Sequence, residues 1–318
     1  MLETHPWTLQ APTAPTREMS LREVRRGAVE RTSDLRWRLQ GAAEPIVERV
    51  RNVLGRDWSL VAAAREFRGA SALEPGGPSE VFAAFNAVPV YPRLSRLEVL
   101  DFAQDTIWTD GDDEPPVLRR GEMHRTIAEA GDLSAFAAAS FDAVLCSHVL
   151  EHMANPIGAL REWRRVLRHR GRLVMIVPHI EGTFDHRRPV TSLAHLQEDA
   201  ARATGEDDLT HIDEVLALHD LDRDPGAESR ETFERRAQEN LQTRAVHHHT
   251  FTSRSVADLL AAVELPLVAL KPQLPFNIIC MCRLGSETMD EAALRRALAK
   301  SPFAVDRMDA ASIGAVSS

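Results

Sequence analysis

The stretch Ser140-Phe-Asp-Ala-Val-Leu-Cys-Ser-His-Val-Leu-Glu-His152 decides the fold of this chain. Its apolar run, Phe141 to Cys146, has the length and composition of a buried parallel strand. Polar side chains follow directly after this run: Ser147, His148, Glu151 and His152. Because open α/β sheets bind their ligands outside the carboxyl ends of the strands, these polar residues are predicted to lie at a functional site.

A helix and a second strand are predicted after this run. Asn155-Pro156 is a helix-start signal, because asparagine caps helices and proline suits the first helical position. Gly171 is predicted to end the helix, and Arg172 to Pro178 has the composition of another buried strand. Apolar residues between these signals recur at helical spacing: Ile157, Leu160, Trp163, Val166 and Leu167. Residues 141–178 therefore predict one strand–helix–strand unit.

This unit resembles the fourth and fifth strands of class I S-adenosylmethionine-dependent methyltransferases with a type 11-like domain. The resemblance covers the strand, the Ser-His-Val-Leu-Glu-His turn from Ser147, the Asn-Pro helix start and the returning Gly-Arg-Leu-Val strand. It implies an α/β fold with a Rossmann-like, seven-stranded, mostly parallel sheet and an antiparallel last hairpin. It also implies an enzyme that transfers a methyl group from S-adenosylmethionine.

The resemblance further implies a set of cofactor-binding residues at the carboxyl ends of the first four strands. The segment Glu-Pro-Gly-Gly-Pro-Ser stands where the family has an acidic residue followed by Gly-x-Gly-x-Gly. Glycines there let the backbone approach the ligand closely, whereas the prolines depart from the family pattern and stiffen the turn. The implied residues are Glu74, Gly76, Gly77, Ser79, Asp101, Glu129, Asp132, Leu133 and Ser147.

Two of these positions have a more specific implied role. Asp101 ends the predicted second strand, where a carboxylate accepts hydrogen bonds from ribose hydroxyls. Asp105 is the alternative, and an aspartate that only ends a strand and starts a turn remains open. In the Glu129-Ala-Gly-Asp-Leu133 turn, the resemblance places Glu129 at the adenine amino group, with Asp132 beside it and Leu133 packed on the ring.

The rest of the chain predicts additions around this core. Residues 183–246 interrupt the methyltransferase-like pattern and are expected to form a helical lid, and Ser253 is predicted to cap the helix after it. The predicted segments are a tail and helical extension (1–62), the first part of the core (63–182), the lid (183–246), the last core helix and hairpin (247–285), and a short helix with a tail (286–318).

Histidine and aspartate side chains mark the candidate catalytic positions. Asp185 and His186 follow the fifth predicted strand, and His249 ends a His-His-His run before the next helix, so both ends of the lid reach one edge of the sheet. A neutral histidine can take a hydroxyl proton near pH 7, which favours oxygen as the methyl acceptor. The acidic chain and the lid-sized insertion favour a small-molecule substrate, which we expect to belong to secondary metabolism. The candidates are His148, His152, Asp185, His186 and His249, and we expect His186 or His249 to be the base.

Two alternatives remain open from the sequence. His148-x-x-Glu151-His152 places three possible metal ligands close together, so a metal-dependent enzyme would bind a divalent ion there. The atypical Pro-Gly-Gly-Pro turn would instead suit a protein of the same fold that no longer methylates.

Composition excludes some classes of partner. The net charge is −9, which argues against general nucleic-acid binding, and no apolar run is long enough to cross a membrane. The three cysteines, Cys146, Cys280 and Cys282, lie in apolar strand-like runs and are expected to be buried, reduced thiols of a cytoplasmic protein. The expected partner is a small-molecule substrate, and oligomeric state is left open.

Overall fold

The computed structural model describes residues 57–104, 106, 121–224 and 229–315. Most of the predicted N-terminal extension and the alternative ribose ligand Asp105 lie outside these residues. The final residues of the extension belong to a helix, Trp58–Ala63, that continues one residue beyond the predicted boundary at 62.

A seven-stranded sheet is formed by the described residues, in the order β3-β2-β1-β4-β5-β7-β6. Only β7 runs antiparallel to its neighbours, β5 and β6, and the other pairings are parallel. The strands are β1 (Ser71–Pro75), β2 (Arg96–Asp101), β3 (Glu122–Ile127), β4 (Phe141–Ser147), β5 (Leu167–Pro178), β6 (Leu267–Gln273) and β7 (Asn277–Arg283). This confirms the predicted Rossmann-like sheet with its antiparallel last hairpin.

Helices cover both faces of this sheet and fill the segment predicted as a lid. They are α1 (Trp58–Ala63), α2 (Pro156–Val166), α3 (Leu193–Arg202), α4 (Ile212–Leu218), α5 (Arg230–Gln238), α6 (Asn240–Thr243), α7 (Ser253–Ala262), α8 (Glu291–Ala299) and α9 (Ala304–Ala315). Within the part of the chain that the structure describes, no helix combines the length and the hydrophobicity needed to cross a membrane.

Strand β4 is buried on both faces, as its continuous apolar run predicts. Val144 and Cys146 pack into the cluster that includes Trp163 of α2, whereas Leu145 packs with Phe82 on the other face. The alternation follows from the two-residue period of a strand. The three cysteines are buried free thiols, as expected.

The helix start at Asn155 is confirmed, because its side chain accepts a hydrogen bond from Gly158 N at 2.8 Å. The predicted helix end at Gly171 is wrong. Helix α2 ends at Val166, and β5 begins at Leu167, which pairs with Phe141 in the sheet. Backbone pairing with β4 therefore competes successfully with continuation of the helix.

The predicted cap of α7 is displaced by one residue. Thr252, rather than Ser253, is the cap, because its side chain accepts from Ser255 N at 3.2 Å while Ser255 Oγ accepts from Thr252 N at 2.9 Å. Ser253 is the first helical residue, and its hydroxyl donates to Asp306 at 2.6 Å.

The C-terminal segment is more ordered than the predicted short helix and tail. Helices α8 and α9 both form, and Asp306 of α9 is fully buried. Its carboxylate accepts hydrogen bonds from Ser253 N, Ser253 Oγ and Ser301 Oγ, and it lies 3.2 Å from His179 Nε2. These contacts join the C-terminal helices to the carboxyl edge of β5.

Candidate active site

A cavity of about 590 Å³ lies at the carboxyl ends of the parallel strands, beneath the lid segment. Strand ends β1, β2, β4 and β5 contribute one wall, and residues between β5 and α7 contribute the other. The polar and charged lining residues are Asp101, Glu129, Ser147, His148, Glu151, His152, Thr183, Glu206, His219, Arg223, Asp224, Arg236, Arg244 and His247.

The glycine turn after β1 reaches this cavity at Gly76 alone. Gly76 has a φ of +70°, and a Cβ there would lie 2.4 Å from Val149 Cγ2, so the position requires glycine. Glu74 points away from the cavity and supports the turn: its carboxylate accepts from Ser79 N at 3.0 Å and from the Tyr91 hydroxyl at 2.6 Å. Glu74, Gly77 and Ser79 are thus behind the cavity wall, not on it.

Replacing Glu74 by glutamine is expected to flatten the pH dependence of stability. Burial raises the pKa of Glu74 from 4.5 to about 7, although the hydrogen bonds from Tyr91 and Ser79 oppose the shift. The folded protein then holds a proton that the unfolded chain releases, so this contribution is complete below about pH 4.5 and is lost as pH rises through about 7. Its size is about 3 kcal/mol.

Urea denaturation between about pH 5 and pH 8 measures this effect. The wild type should lose stability with rising pH relative to Glu74→Gln. Parallel curves for the two proteins would show that Glu74 is ionised throughout.

The carboxylates predicted for the cofactor line one end of the cavity. Asp101 is buried and bonded to Arg125, and Glu129 is half-exposed. Leu100, Phe102 and Met153 supply apolar surface between them. Hydroxyl and amino groups of an adenosine suit the carboxylates, and its ring suits the apolar side chains.

Two residues of the predicted adenine-binding turn, Glu129 to Leu133, do not line the cavity. Leu133 is fully buried in the core and does not line the cavity, so Phe102 and Met153 are better placed to contact a ring. Asp132 accepts a hydrogen bond from Ser134 N at 3.0 Å and also lies off the cavity wall.

His148 and Glu151 form a charged pair at the end of β4. His148 has a φ of +54°, a strained backbone conformation of the kind that recurs at functional sites, and its Nδ1 lies 3.3 Å from Glu151 Oε1. Burial disfavours charge on both groups, but their mutual contact outweighs it, raising the pKa of His148 and lowering that of Glu151. The raised pKa favours the protonated ring of His148, and that form cannot accept another proton.

His152 is held in a neutral form. Burial and the neighbouring His247 lower the pKa of His152 to about 4, and its Nδ1 lies 3.1 Å from the Val246 carbonyl. A ring of such low basicity is a weak general base.

The most base-like arrangement in the cavity is the pair Asp185 and His247. His247 Nδ1 lies 2.5 Å from Asp185 Oδ2, and His247 lines the cavity. Asp185 is buried and bonded to Arg188 at 3.0 Å. Burial alone would raise its pKa, but the contacts with His247 and Arg188 outweigh burial and lower the pKa to about 2. A carboxylate that accepts from Nδ1–H leaves Nε2 of the ring as the proton acceptor.

The two histidines favoured from the sequence do not line this cavity. His186 Nε2 is bonded to Asp220 at 2.8 Å, and His249 is fully buried among other histidines of the lid. His247 belongs to the same run as His249, so the sequence located the segment but not the residue. Asp185, also a candidate, contacts His247.

The metal ligands predicted as an alternative also differ from those that the structure groups together. Ligand atoms of Glu151, His152 and His247 lie within 4.8 Å of one another, so His247 takes the place predicted for His148. Neither carboxylate oxygen of Glu151 has a hydrogen-bond partner of good geometry among the described residues.

Comparison with known proteins supports the resemblance. Residues 100–175 match the family model described as a methyltransferase domain. No curated protein matches the chain by sequence. Together with the strand order, the family match supports the resemblance to class I S-adenosylmethionine-dependent methyltransferases. It agrees with the predicted enzyme class and the predicted cofactor.

Several solved structures are similar at low identity. The 1,6-didemethyltoxoflavin-N1-methyltransferase of Burkholderia thailandensis, crystallised with 1,6-didemethyltoxoflavin and S-adenosylhomocysteine, is 14% identical, with 87% of this chain and 94% of that chain covered and a TM-score of 0.40. An S-adenosylmethionine-dependent methyltransferase of Mesorhizobium loti is 12% identical, with 71% and 95% covered and a TM-score of 0.41. One from Aquifex aeolicus is 10% identical, with 71% and 89% covered and a TM-score of 0.37.

Proposed function

We propose that this enzyme methylates a hydroxyl oxygen of a small molecule, with His247 as general base and Asp185 as the residue that orients it. The observation that carries the proposal is the 2.5 Å contact between His247 Nδ1 and Asp185 Oδ2 at the wall of the cavity. Methylation of a hydroxyl requires removal of its proton, and a histidine held by a carboxylate is suited to take it.

The cavity suits a small acceptor. Its volume of about 590 Å³ is in the range of small-molecule sites and must also accommodate part of the cofactor. Phe184 and Phe276 line the end near His148 and His247, with ring centroids 4.8 Å from His247 and 5.5 Å from His148, respectively. An acceptor with a flat ring would pack between these aromatic side chains.

Different residues of the protein would bind the cofactor, accept the proton and place charges near the reacting groups. When bound, S-adenosylmethionine supplies an electrophilic methyl group on a sulfonium. Asp101, Glu129 and the backbone at Gly76 would hold its adenosine end. His247 Nε2 would accept the proton of the acceptor hydroxyl as the O–C bond forms and the S–C bond of the sulfonium breaks, which leaves S-adenosylhomocysteine. His148 and Glu151 keep opposite charges close to the reacting groups.

The lid segment 183–246 is proposed to exclude water during transfer. Arg244 connects it to the cofactor end of the core, because its guanidinium donates to Glu129 at 2.8 Å and to Glu206 at 2.7 Å. The same guanidinium carbon lies 5.2 Å from the centre of the Phe102 ring. Closure of this kind protects a reactive methyl donor from hydrolysis.

The function is tested by titrating the protein with S-adenosylmethionine in a calorimeter and then assaying a panel of small phenols, alcohols and amines. Formation of S-adenosylhomocysteine, with the methyl group located by NMR on oxygen, supports the proposal. Methyl transfer only to nitrogen or carbon would contradict the oxygen assignment, and absence of any cofactor binding would contradict the function itself.

Replacing Asp101 by alanine is expected to weaken S-adenosylmethionine binding by about 1–3 kcal/mol, because a charge-assisted hydrogen bond to ribose is lost. Calorimetry measures the change. Asp132→Ala is the matched control, since Asp132 lies on the neighbouring turn and off the cavity wall. Equal affinity for the two variants would remove Asp101 from the cofactor site.

A further inference from the structure

A cluster of histidine and aspartate side chains lies outside the active-site cavity, where the lid meets the core. His195 and Asp199 are one turn apart on α3, His211 is the residue immediately before α4, and His249 lies ahead of α7. None of the four lines the cavity. Ligand atoms from all four lie within 4.8 Å of one another.

Two of the separations between these ligand atoms match those of a tetrahedral metal shell. His195 Nε2 lies 3.3 Å from His211 Nε2 and 3.3 Å from Asp199 Oδ2, and His249 Nε2 lies 3.8 Å from the same oxygen. Zinc–nitrogen and zinc–oxygen bonds of about 2.0–2.1 Å place the ligands of a tetrahedron about 3.3 Å apart. The two short separations therefore match edges of such a tetrahedron.

Two buried polar atoms of the cluster make no hydrogen bond within the described part of the chain, although Asp199 Oδ2 lies within ion-pair distance of His195 and His249. Asp199 Oδ2 and His249 Nδ1 are buried and have no hydrogen bond to any of the described residues. A buried carboxylate oxygen in this condition is costly unless a cation lies beside it. Burial, followed by the neighbouring imidazoles, lowers the pKa of His211 and of His249.

We propose that His195, Asp199, His211 and His249 bind one zinc ion. Three imidazole nitrogens and one carboxylate oxygen suit zinc better than magnesium or calcium, which prefer shells of oxygen. Four protein ligands leave no open coordination position, so the ion has a structural role and takes no part in methyl transfer.

Such an ion would fasten the lid to the core. It joins α3 and the start of α4 to the segment that ends at His249, whose backbone N–H donates to the Glu151 carbonyl at 3.1 Å. His247 lies two residues before this anchor. The proposed ion would therefore hold in place the segment that presents His247 to the cavity.

Metal analysis of the full chain, purified without an affinity tag, tests this site. After removal of metals with a chelator, the protein is titrated with zinc sulfate, and bound zinc and the midpoint of thermal unfolding are measured. We expect one zinc per chain and a higher midpoint with zinc. Cobalt bound in place of zinc should give the visible absorption of a four-coordinate nitrogen and oxygen site. This measurement uses the wild-type protein and needs no variant.

His195→Ala and His211→Ala should each reduce bound zinc to below roughly a tenth of an ion per chain, since a structural site depends on all four ligands. His124→Ala, a half-exposed histidine on β3, is the control and should bind zinc normally. A wild type that binds no zinc would overturn the proposal. So would zinc that survives both cluster variants but is lost in His152→Ala, because the ion would then lie in the cavity. Titration with S-adenosylmethionine tests the proposed function separately, because it does not measure bound zinc or thermal unfolding.

Discussion

Replacing His247 by alanine is expected to lower the turnover number by roughly 10²–10⁴-fold while leaving the affinity for S-adenosylmethionine almost unchanged. The reason is that His247 faces the acceptor end of the cavity and is the ring oriented there by a buried carboxylate, Asp185, at 2.5 Å. Steady-state kinetics on the identified acceptor, together with calorimetry of the cofactor, separate these two effects.

His186→Ala is the matched control for this experiment. His186 neighbours Asp185 in the chain, but its ring is bonded to Asp220 and does not line the cavity, so turnover should persist. Asp185→Asn should reduce turnover less severely than His247→Ala, because it removes orientation but not the base. Full activity of His247→Ala, with loss of activity in His148→Ala or His152→Ala, would transfer the role of base to one of those residues.

Replacing Arg188 by leucine is expected to destabilise the fold by about 3–5 kcal/mol. The guanidinium is almost fully buried, with 1% of the side chain exposed, and donates to Asp185 at 3.0 Å and Glu214 at 2.8 Å. It also donates to the carbonyls of His247 at 2.8 Å and His248 at 3.1 Å. Removing the Arg188 guanidinium leaves the buried Asp185 carboxylate without this cation, and leaves the two carbonyls without its hydrogen bonds.

Arg187→Leu is the comparison, because Arg187 is adjacent in sequence and pairs with Asp220, but its own side chain is 52% exposed. That change should alter the free energy of unfolding by about 1 kcal/mol or less. Chemical denaturation of the two variants measures their free energies of unfolding. If Arg188→Leu is no less stable than Arg187→Leu, the buried network does not hold the lid segment as described.

The core of the fold could be predicted from local signals. The continuous apolar run at 141–146 must be buried on both faces, Asn155 and Pro156 begin a helix for reasons of capping and backbone geometry, and residues 276–282 repeat the strand pattern. Helix ends were less predictable. The end of α2 depends on pairing between Phe141 and Leu167, a contact between residues distant in sequence.

The C-terminal segment shows the same limit. Its small residues predict a tail, but Asp306 is buried by hydrogen bonds from Ser253 and Ser301 and by contact with His179. Only the folded chain brings these residues together. The composition of a segment cannot report a partner that comes from another part of the sequence.

The sequence by itself determined the sheet, the position of the site at its carboxyl edge, and the two chain segments that supply its histidines. Only the tertiary structure decided which histidine of the run 247–249 faces the cavity. Residues 247–249 belong to no helix or strand, so no regular spacing relates their side chains: His247 meets Asp185, while His249 joins the cluster of His195 and Asp199. These assignments depend on distances of a few ångströms between distant residues, which sequence spacing does not contain.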